Sequence, residues 1–243
     1  MLLKDISLKT PQENILYDEV LLHLAEQGQG GEVLRFWESS ELFVVLGRIC
    51  KAQDDIKIDA VLEDGIPVMR RSSGGGTVLQ GEGCLNYSLI LSKEQNSQIV
   101  DLRKSYRYIL SKVITVLGQL GVQTEFYPIS DIALHDNYKK ISGNAQKRSK
   151  KFILHHGTIL YDFDLQKIEQ YLRMPKEFPE YRQQRTHLDF IANVPLTAWK
   201  IKNGFKKIFK ITNNEYCLND IEKNQLQSFL QTKEVRVNLE DPV

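Results

Sequence analysis

Apolar residues at Ile15, Leu16, Val20, Leu21, Leu24 and Ala25 recur three and four apart, the spacing of one helix face. Thr10-Pro11-Gln12-Glu13 precedes them with the signature of a helix start: a side chain that can accept from the first turn, proline in that turn, and a glutamate that can reach back. The spacing predicts a helix that runs to about Gln27 and is ended by the glycines at 28–31. Alternation and short apolar runs then predict strands over 32–37, 42–46, 67–71 and 85–91, with a short helix over 56–63. Within 85–91, Asn86 and Ser88 alternate with Leu85, Tyr87 and Leu89. Residues 101–120 read as an amphipathic helix closed by Gly121.

The second half is more broken. Short strands are expected over 122–127, 131–134 and 139–142. The basic run Lys147-Arg148-Ser149-Lys150-Lys151 reads as an interruption before a strand region at 152–163. A helix at 165–172, an irregular stretch from 174 to 195, and two helices at 197–210 and 219–231 complete the pattern. The tail at 232–243 carries only Val235, Val237 and Leu239 at strand spacing, as an edge strand would. No repeat or low-complexity linker divides the chain, so one α/β domain is expected, with its strands concentrated between 32 and 163.

Composition narrows the class without naming a chemistry. The chain has 243 residues, 42% apolar and 26% charged, enough for a core of ordinary size. Lys plus Arg number 32 against 31 acidic residues, which gives no overall pull toward nucleic acid or an anionic membrane. Cys50, Cys84 and Cys217 are odd in number and far apart, a poor basis for disulfides or a cysteine zinc site, and a reducing cytoplasm is the natural compartment. No apolar run reaches the roughly 18 residues of a membrane span.

The chemistry concentrates in two clusters. Arg70-Arg71-Ser72-Ser73-Gly74-Gly75-Gly76 joins a strand to Thr77-Val78-Leu79. Consecutive glycines let backbone N–H groups approach a ligand, and either arginine could neutralise a carboxylate or phosphate. The run lacks the Gly-Lys-Ser/Thr of a P-loop, and Leu79 stands where a dinucleotide fingerprint needs its third glycine. A plain flexible hairpin is the simpler alternative. The second cluster is Lys140-Ile141-Ser142-Gly143-Asn144-Ala145, followed by His155-His156-Gly157-Thr158. Lys140 could set a point charge over a developing oxyanion, or be an ordinary surface lysine. Adjacent histidines on a strand point to opposite faces, so His155 and His156 cannot share one metal ion. The basic run at 147–151 could capture pyrophosphate or an acidic protein, or be a solvated loop.

Taken in order, Arg70-Arg71-Ser72-Ser73-Gly74-Gly75-Gly76-Thr77-Val78, Ser130-Asp131-Ile132, Lys140-Ile141-Ser142-Gly143-Asn144-Ala145 and His156-Gly157-Thr158-Ile159-Leu160 resemble the lipoate–protein ligase A family of the biotin/lipoate ligase superfamily, over roughly residues 10 to 195. The resemblance implies that superfamily's catalytic-domain fold, an α/β (α+β) arrangement with a central mixed β-sheet flanked by helices. It also implies ATP-dependent activation of lipoate or octanoate, with Mg²⁺, to an acyl-adenylate, followed by transfer to a lysine of a lipoyl-domain or H-protein-like carrier. On this basis Lys140 is the expected catalytic residue. Arg71, Ser73, Gly74, Gly75, Gly76, Val78, Asp131, Gly143, Ala145, His156 and Thr158 are expected to line the acyl and adenylate sites. Any Mg²⁺ would arrive with ATP, with Asp131 as the one protein group in reach of it. The expected domain is a single catalytic one over 1–243, without the large C-terminal accessory domain that bacterial relatives often carry; it would act alone or with a separate accessory chain. Gln80, Cys84 and Ser130 depart from the family's histidine, asparagine and asparagine. The alternatives are an ATP-independent octanoyl or lipoyl transferase between carriers, and a protein that only binds an acyl group or adenylate. Related transferases use a cysteine just before the Asp131 region, where this chain reads Glu125-Phe126-Tyr127-Pro128-Ile129-Ser130. That leaves Cys84 as the only cysteine near a matched motif.

Overall fold

The computed structural model describes residues 1–211 and 213–239. In chain order the elements are β1 (Leu2–Asp5), α1 (Pro11–Glu26), β2 (Val33–Trp37), β3 (Phe43–Leu46), α2 (Ala52–Asp55), α3 (Ile58–Glu63), β4 (Val68–Arg70), β5 (Val78–Gln80) and β6 (Cys84–Ser92). There follow α4 (Leu102–Gln119), β7 (Thr124–Tyr127), β8 (Asp131–Leu134), β9 (Lys140–Arg148), β10 (Phe152–Leu160), α5 (Leu165–Tyr171), α6 (His187–Phe190), α7 (Ala198–Ile208), β11 (Asn213–Glu215) and α8 (Asp220–Thr232). Single 3₁₀ turns lie at Ser97–Ile99 and Glu180–Arg182.

Eight strands form a mixed sheet in the order β11-β1-β2-β6-β10-β9-β8-β7, parallel at β11-β1-β2 and antiparallel from β2 onward. A smaller sheet has the order β4-β3-β5. The α/β class with a central mixed sheet therefore stands. Two features differ from the sequence expectation. The sheet does not begin at residue 32, because β1 and β11 build its parallel edge. Both are short, and β11 is wholly polar in sequence, so neither has the alternation that marks a strand. The basic run at 147–151 does not separate two strands either. Lys147 and Arg148 lie inside β9, and only 149–151 turn the hairpin. Arg148 is drawn inward by its partners, donating to the carbonyls of Ile99 and Val100 and to Gln146.

The helix ends follow local chemistry. Thr10 and Glu13 form the expected capping box of α1, and Asn219 and Glu222 form a second one on α8. Asp101 caps α4, and Gly121 beyond it takes φ +87°, the left-handed region that glycine enters at least cost. The tail reaches β4 as an edge: Arg70 N donates to Val235 O at 2.7 Å and Val237 N to Val68 O at 2.8 Å. Residues 240–243 of the expected edge strand lie outside the described residues.

The large sheet has two unlike faces. On one, Leu34, Phe36, Leu85, Tyr87, Leu89, Ile153 and Ile159 pack beneath α4 and α7 in an apolar core. On the other, α1 and α8 cover Val33, Trp37, Ile90 and Leu154, but the same strand face carries Asn86, Ser88, His156 and Thr158. The alternation in β6 is thus core against polar chamber, with every residue of the strand buried. Among the described residues, no helix is long and apolar enough to cross a membrane.

The C-terminal elements are held by a buried cation. Lys4 on β1 is fully buried, and its ammonium meets Glu222 of α8 at 2.6 Å and Glu215 of β11 at 2.5 Å. Tyr17 of α1 donates to the same Glu222 at 3.0 Å. Removing one partner of a buried pair strands the other charge. Lys4→Met is expected to lower stability by about 3–5 kcal/mol, and Lys4→Met with Glu222→Gln by less, as read from urea midpoints at constant m-value.

Candidate active site

One cavity of about 140 Å³ opens between α1, the glycine loop and the polar face of β6, β10 and β9. The loop that closes it is built from its own backbone inward. Arg71 is buried, and its Nη2 donates to Gly74 O at 2.8 Å and Gly76 O at 2.6 Å, while Nε donates to Ser73 Oγ at 3.1 Å. Burial pulls the guanidinium down to a pKa of about 10, and it remains charged near neutrality. Arg70 turns the other way and donates to the carbonyls of Gly47 and Cys50. The two arginines that suggested an anion contact in the sequence therefore fasten the loop. Gly75 takes φ +84°, and Gly47 lies so close to its carbonyl that any Cβ there would collide.

Opposite the loop, Lys140 at the start of β9 pairs with Asp131 at the start of β8, Nζ to Oδ1 at 2.8 Å. The other carboxylate oxygen accepts from Tyr181 at 2.8 Å. Tyr181 stacks on Tyr127 and packs on Phe190, and burial followed by the Asp131 charge raises its pKa, so the hydroxyl stays a donor. Both Asp131 oxygens are thus occupied by protein donors. Among the described residues, no group of three or more His, Cys, Asp or Glu is arranged to hold a metal ion. A Cβ on Gly143 would lie 3.1 Å from both Cε and Nζ of Lys140, so a bare backbone there gives the lysine its room. Asn144 reaches Ser130 O at 2.8 Å and accepts from Tyr87, which fixes the turn before Asp131.

His156 and Thr158 project from β10 into this cavity. Ser73 Oγ sits 2.7 Å from His156 Nε2, which links loop and sheet. Burial, and then the Arg71 charge, push His156 down to a pKa of about 4. His155 points to the opposite core, where Tyr87 and Tyr106 surround it, and burial takes it to about 3. Of the residues expected at the site, Lys140, Arg71, Ser73, Gly75, Gly76, Val78, Asp131, Gly143, Ala145, His156 and Thr158 line the cavity. Gly74 does not, and contributes only the carbonyl that Arg71 holds.

Several lining residues escaped the motif reading: Ile15, Asp18 and Glu19 of α1, Trp37, Val45 and Leu154. A signal for them existed. Asn14, Asp18 and Glu19 are polar positions on the buried side of an otherwise apolar helix, and Asp18 is paired to buried Arg35 at 2.6 Å. Tyr181 carried no such signal, because it lies in the irregular 174–195 stretch. Trp37 Nε1 and Gln80 Oε1 are buried polar atoms without a partner, and both residues line the cavity. Such atoms are where a ligand's polar groups would find theirs. The cysteines lie elsewhere. Cys84 is sealed in the core with its thiol pushed up to about 12 by burial, Cys50 touches Gly75 O from outside the cavity, and Cys217 is exposed.

Comparisons with known proteins agree on one grouping. The family model for the lipoyl protein ligase A/B catalytic domain matches residues 10–210. A probable lipoate-protein ligase A of Mycoplasma pneumoniae is 31% identical over 166 residues, 68% of this chain but only 47% of that protein. The chain therefore spans about half the length of that relative. An octanoyltransferase LipM of Lysinibacillus sphaericus is 26% identical, with 92% of each chain covered. Among solved structures, an archaeal bi-partite lipoate protein ligase from Thermoplasma acidophilum, described with its E2 lipoyl domain, has a TM-score of 0.80 at 24% identity over 96% of this chain and 92% of that one. A lipoate-protein ligase A bound with ATP has a TM-score of 0.78 at 24% identity over 96% of each. At these identities the structures speak for the fold.

The histidine environments set a pH dependence. In the unfolded chain both imidazoles protonate near pH 6.5, in the fold only near 4 and 3. Between those values the unfolded chain binds more protons, so stability is expected to fall as pH drops from about 7 to about 4. Urea midpoints across that range should show the loss, and His155→Gln should flatten it.

Proposed function

Because the chain belongs to the lipoyl protein ligase A/B catalytic domain family, we propose that it is a lipoate–protein ligase, activating lipoate or octanoate with ATP and passing the acyl group to a lysine of a lipoyl-domain or H-protein-like carrier. The observation that carries this reading is the Lys140–Asp131 pair. It stands at the polar end of a cavity whose other walls, Ile15, Trp37, Val45, Val78 and Leu154, suit a hydrocarbon chain. A cation at the carboxyl end can hold the acid's carboxylate, and it accelerates a reaction when it also meets charge that develops in the transition state.

In the proposed first step, a carboxylate oxygen of the acid bonds to the α-phosphorus of ATP as the bond to the β-phosphate oxygen breaks, and pyrophosphate leaves. Lys140 exchanges Asp131 for the carboxylate and α-phosphate, holding both and offsetting charge as it builds. In the second step the carrier's amine bonds to the acyl carbon, the carbon–phosphate oxygen bond breaks, AMP leaves with its electron pair, and the amine gives up its proton. Mg²⁺ would be held by the nucleotide's own phosphates, with Asp131 Oδ1, which Lys140 releases in this step, as the protein oxygen that could join them. A ligase of the same fold is described with bound ATP, and the archaeal one as bi-partite and with an E2 lipoyl domain. The same substrate, carrier and a separate accessory chain are proposed here, as is a cytoplasmic location.

Transfer of octanoyl between carriers without ATP is the second reading, favoured by the LipM relative that matches over nearly its whole length. It requires a nucleophile. The positions of Cys50, Cys84 and Cys217 give the cavity no thiol.

Lipoate, ATP and Mg²⁺ should yield pyrophosphate and a lipoyl-sized mass gain on a lipoyl domain. Absence of adenylate, with transfer from an octanoyl-carrier protein, would overturn the ligase reading. Lys140→Ala should lower turnover by about 10²–10³-fold with little change in thermal midpoint. Gly143→Ala should lower it too, by displacing the Lys140 ammonium. Cys84→Ser should leave turnover within roughly twofold, since a sealed thiol with a raised pKa is not a nucleophile.

A further inference from the structure

The family match ends at residue 210, yet the segment beyond α8 touches a residue of the cavity wall, Glu19. Glu19 of α1 is buried and lines the chamber. Its Oε2 accepts from Lys233 at 2.7 Å and from Lys147 of β9 at 3.2 Å. Burial pushes this carboxyl up, but the Lys233 hydrogen bond, Lys147 and a hydrogen bond from Ser72 outweigh it and hold the pKa below the ordinary carboxylate value. Lys233 is itself fixed. Its ammonium lies 3.6 Å from the centre of the Phe229 ring, and the residues after it are tied to β4, whose end carries the Arg70-Arg71 loop.

The position of this cluster along the chamber follows from β9. Gly143 lies beside the Lys140 ammonium, and Gly143, Ala145 and Lys147 share one strand face. Lys147 is four residues beyond Gly143, about 13 Å at strand spacing. Lys140 therefore marks the carboxyl end of the chamber, and the Glu19 cluster stands at the far end, beside Leu154, the strand partner of Lys147. A hydrocarbon chain extending past that row would have to part a buried carboxylate from two cations, which is costly.

We propose that Lys233, with Lys147, holds Glu19 across the far end of the acyl chamber as an end-stop, so that the C-terminal segment sets the longest acyl chain the site admits. This rests on the acyl-site reading above. Lys233 is a specificity-determining residue by this account, and it need never touch the reacting atoms.

Binding of octanoate and dodecanoate to the full chain, measured by calorimetry without ATP or carrier, tests it. The wild type should favour octanoate, and Lys233→Met should narrow the octanoate-to-dodecanoate ratio by about tenfold, the scale of methylene discrimination in apolar pockets. Lys233→Arg should restore most of the ratio. If Lys233→Met weakens both acids equally, or changes neither, the segment is a structural strap and the proposal falls. If the wild type binds no acyl acid of any length, the acyl-site reading falls with it. The thermal midpoint of each variant separates a lost fold from a changed preference.

Discussion

The loop at 71–76 exists in one shape because a buried guanidinium satisfies its carbonyls. Three glycines in sequence have the largest conformational entropy to lose on folding, and nothing in their own side chains to recover it. Arg71 supplies that order by donating from one nitrogen to the loop carbonyls of Gly74 and Gly76 and from another to Ser73. Ser73 in turn meets His156 on β10. The loop is thereby registered against the sheet, and the cavity between them has fixed walls before any ligand enters. Preorganisation of this kind lets a site bind without first ordering its own backbone.

The sheet faces the complementary problem. Its α4 and α7 side is closed by apolar packing, as any core is. Its other side must keep Asn86, Ser88, His156 and Thr158 away from hydrocarbon, and α1 does this by carrying Asn14, Asp18 and Glu19 on its buried face. Arg35 then pairs with Asp18 and donates to Asn14, so that the buried guanidinium and carboxylate satisfy each other. The chamber is therefore a consequence of two polar faces that cannot be packed dry. Mixed walls follow: hydrocarbon from Ile15, Val45 and Leu154, and polar groups from the strands.

How much of this was legible depends on how local each signal is. The caps of α1 and α8 were readable because Thr10, Glu13, Asn219 and Glu222 act within one turn. The pairing of Lys140 with Asp131 was readable only through motif resemblance, since the two lie on different strands, nine positions apart across a β-hairpin. β1 and β11 were not readable, because both are short strands at one side of the sheet, joined by a lysine at position 4 and glutamates some two hundred residues on. Tyr181 was equally hidden. Its place over Asp131 depends on Gln183 and Gln184, both held at positive φ, and on Arg185 donating to the carbonyls of Tyr181 and Tyr138. No periodicity encodes an arrangement of that kind. The two arginines beside the glycines were legible as important, but not that Arg70 turns to the carbonyls of Gly47 and Cys50 while Arg71 lines the cavity, because a sequence shows a charge but not which way its side chain turns.

Two buried or half-buried lysines connect the chain's beginning and end. Lys4 binds β1 to β11 and α8, and Lys233 binds the segment after α8 to α1. Each puts a charge where an apolar contact could stand, and leaving its carboxylate partners unpaired would be costly. Such pairs add less net stability than the hydrocarbon they displace, but they select a single register. The edge of a sheet is where register is least constrained, since one side of the strand has no neighbour to enforce it. The C-terminal elements sit at two such edges, β11 beside β1 and the 235–237 segment beside β4. Placing the ion pairs there fixes alignment where backbone pairing alone leaves it open, and it does so at both ends of α8.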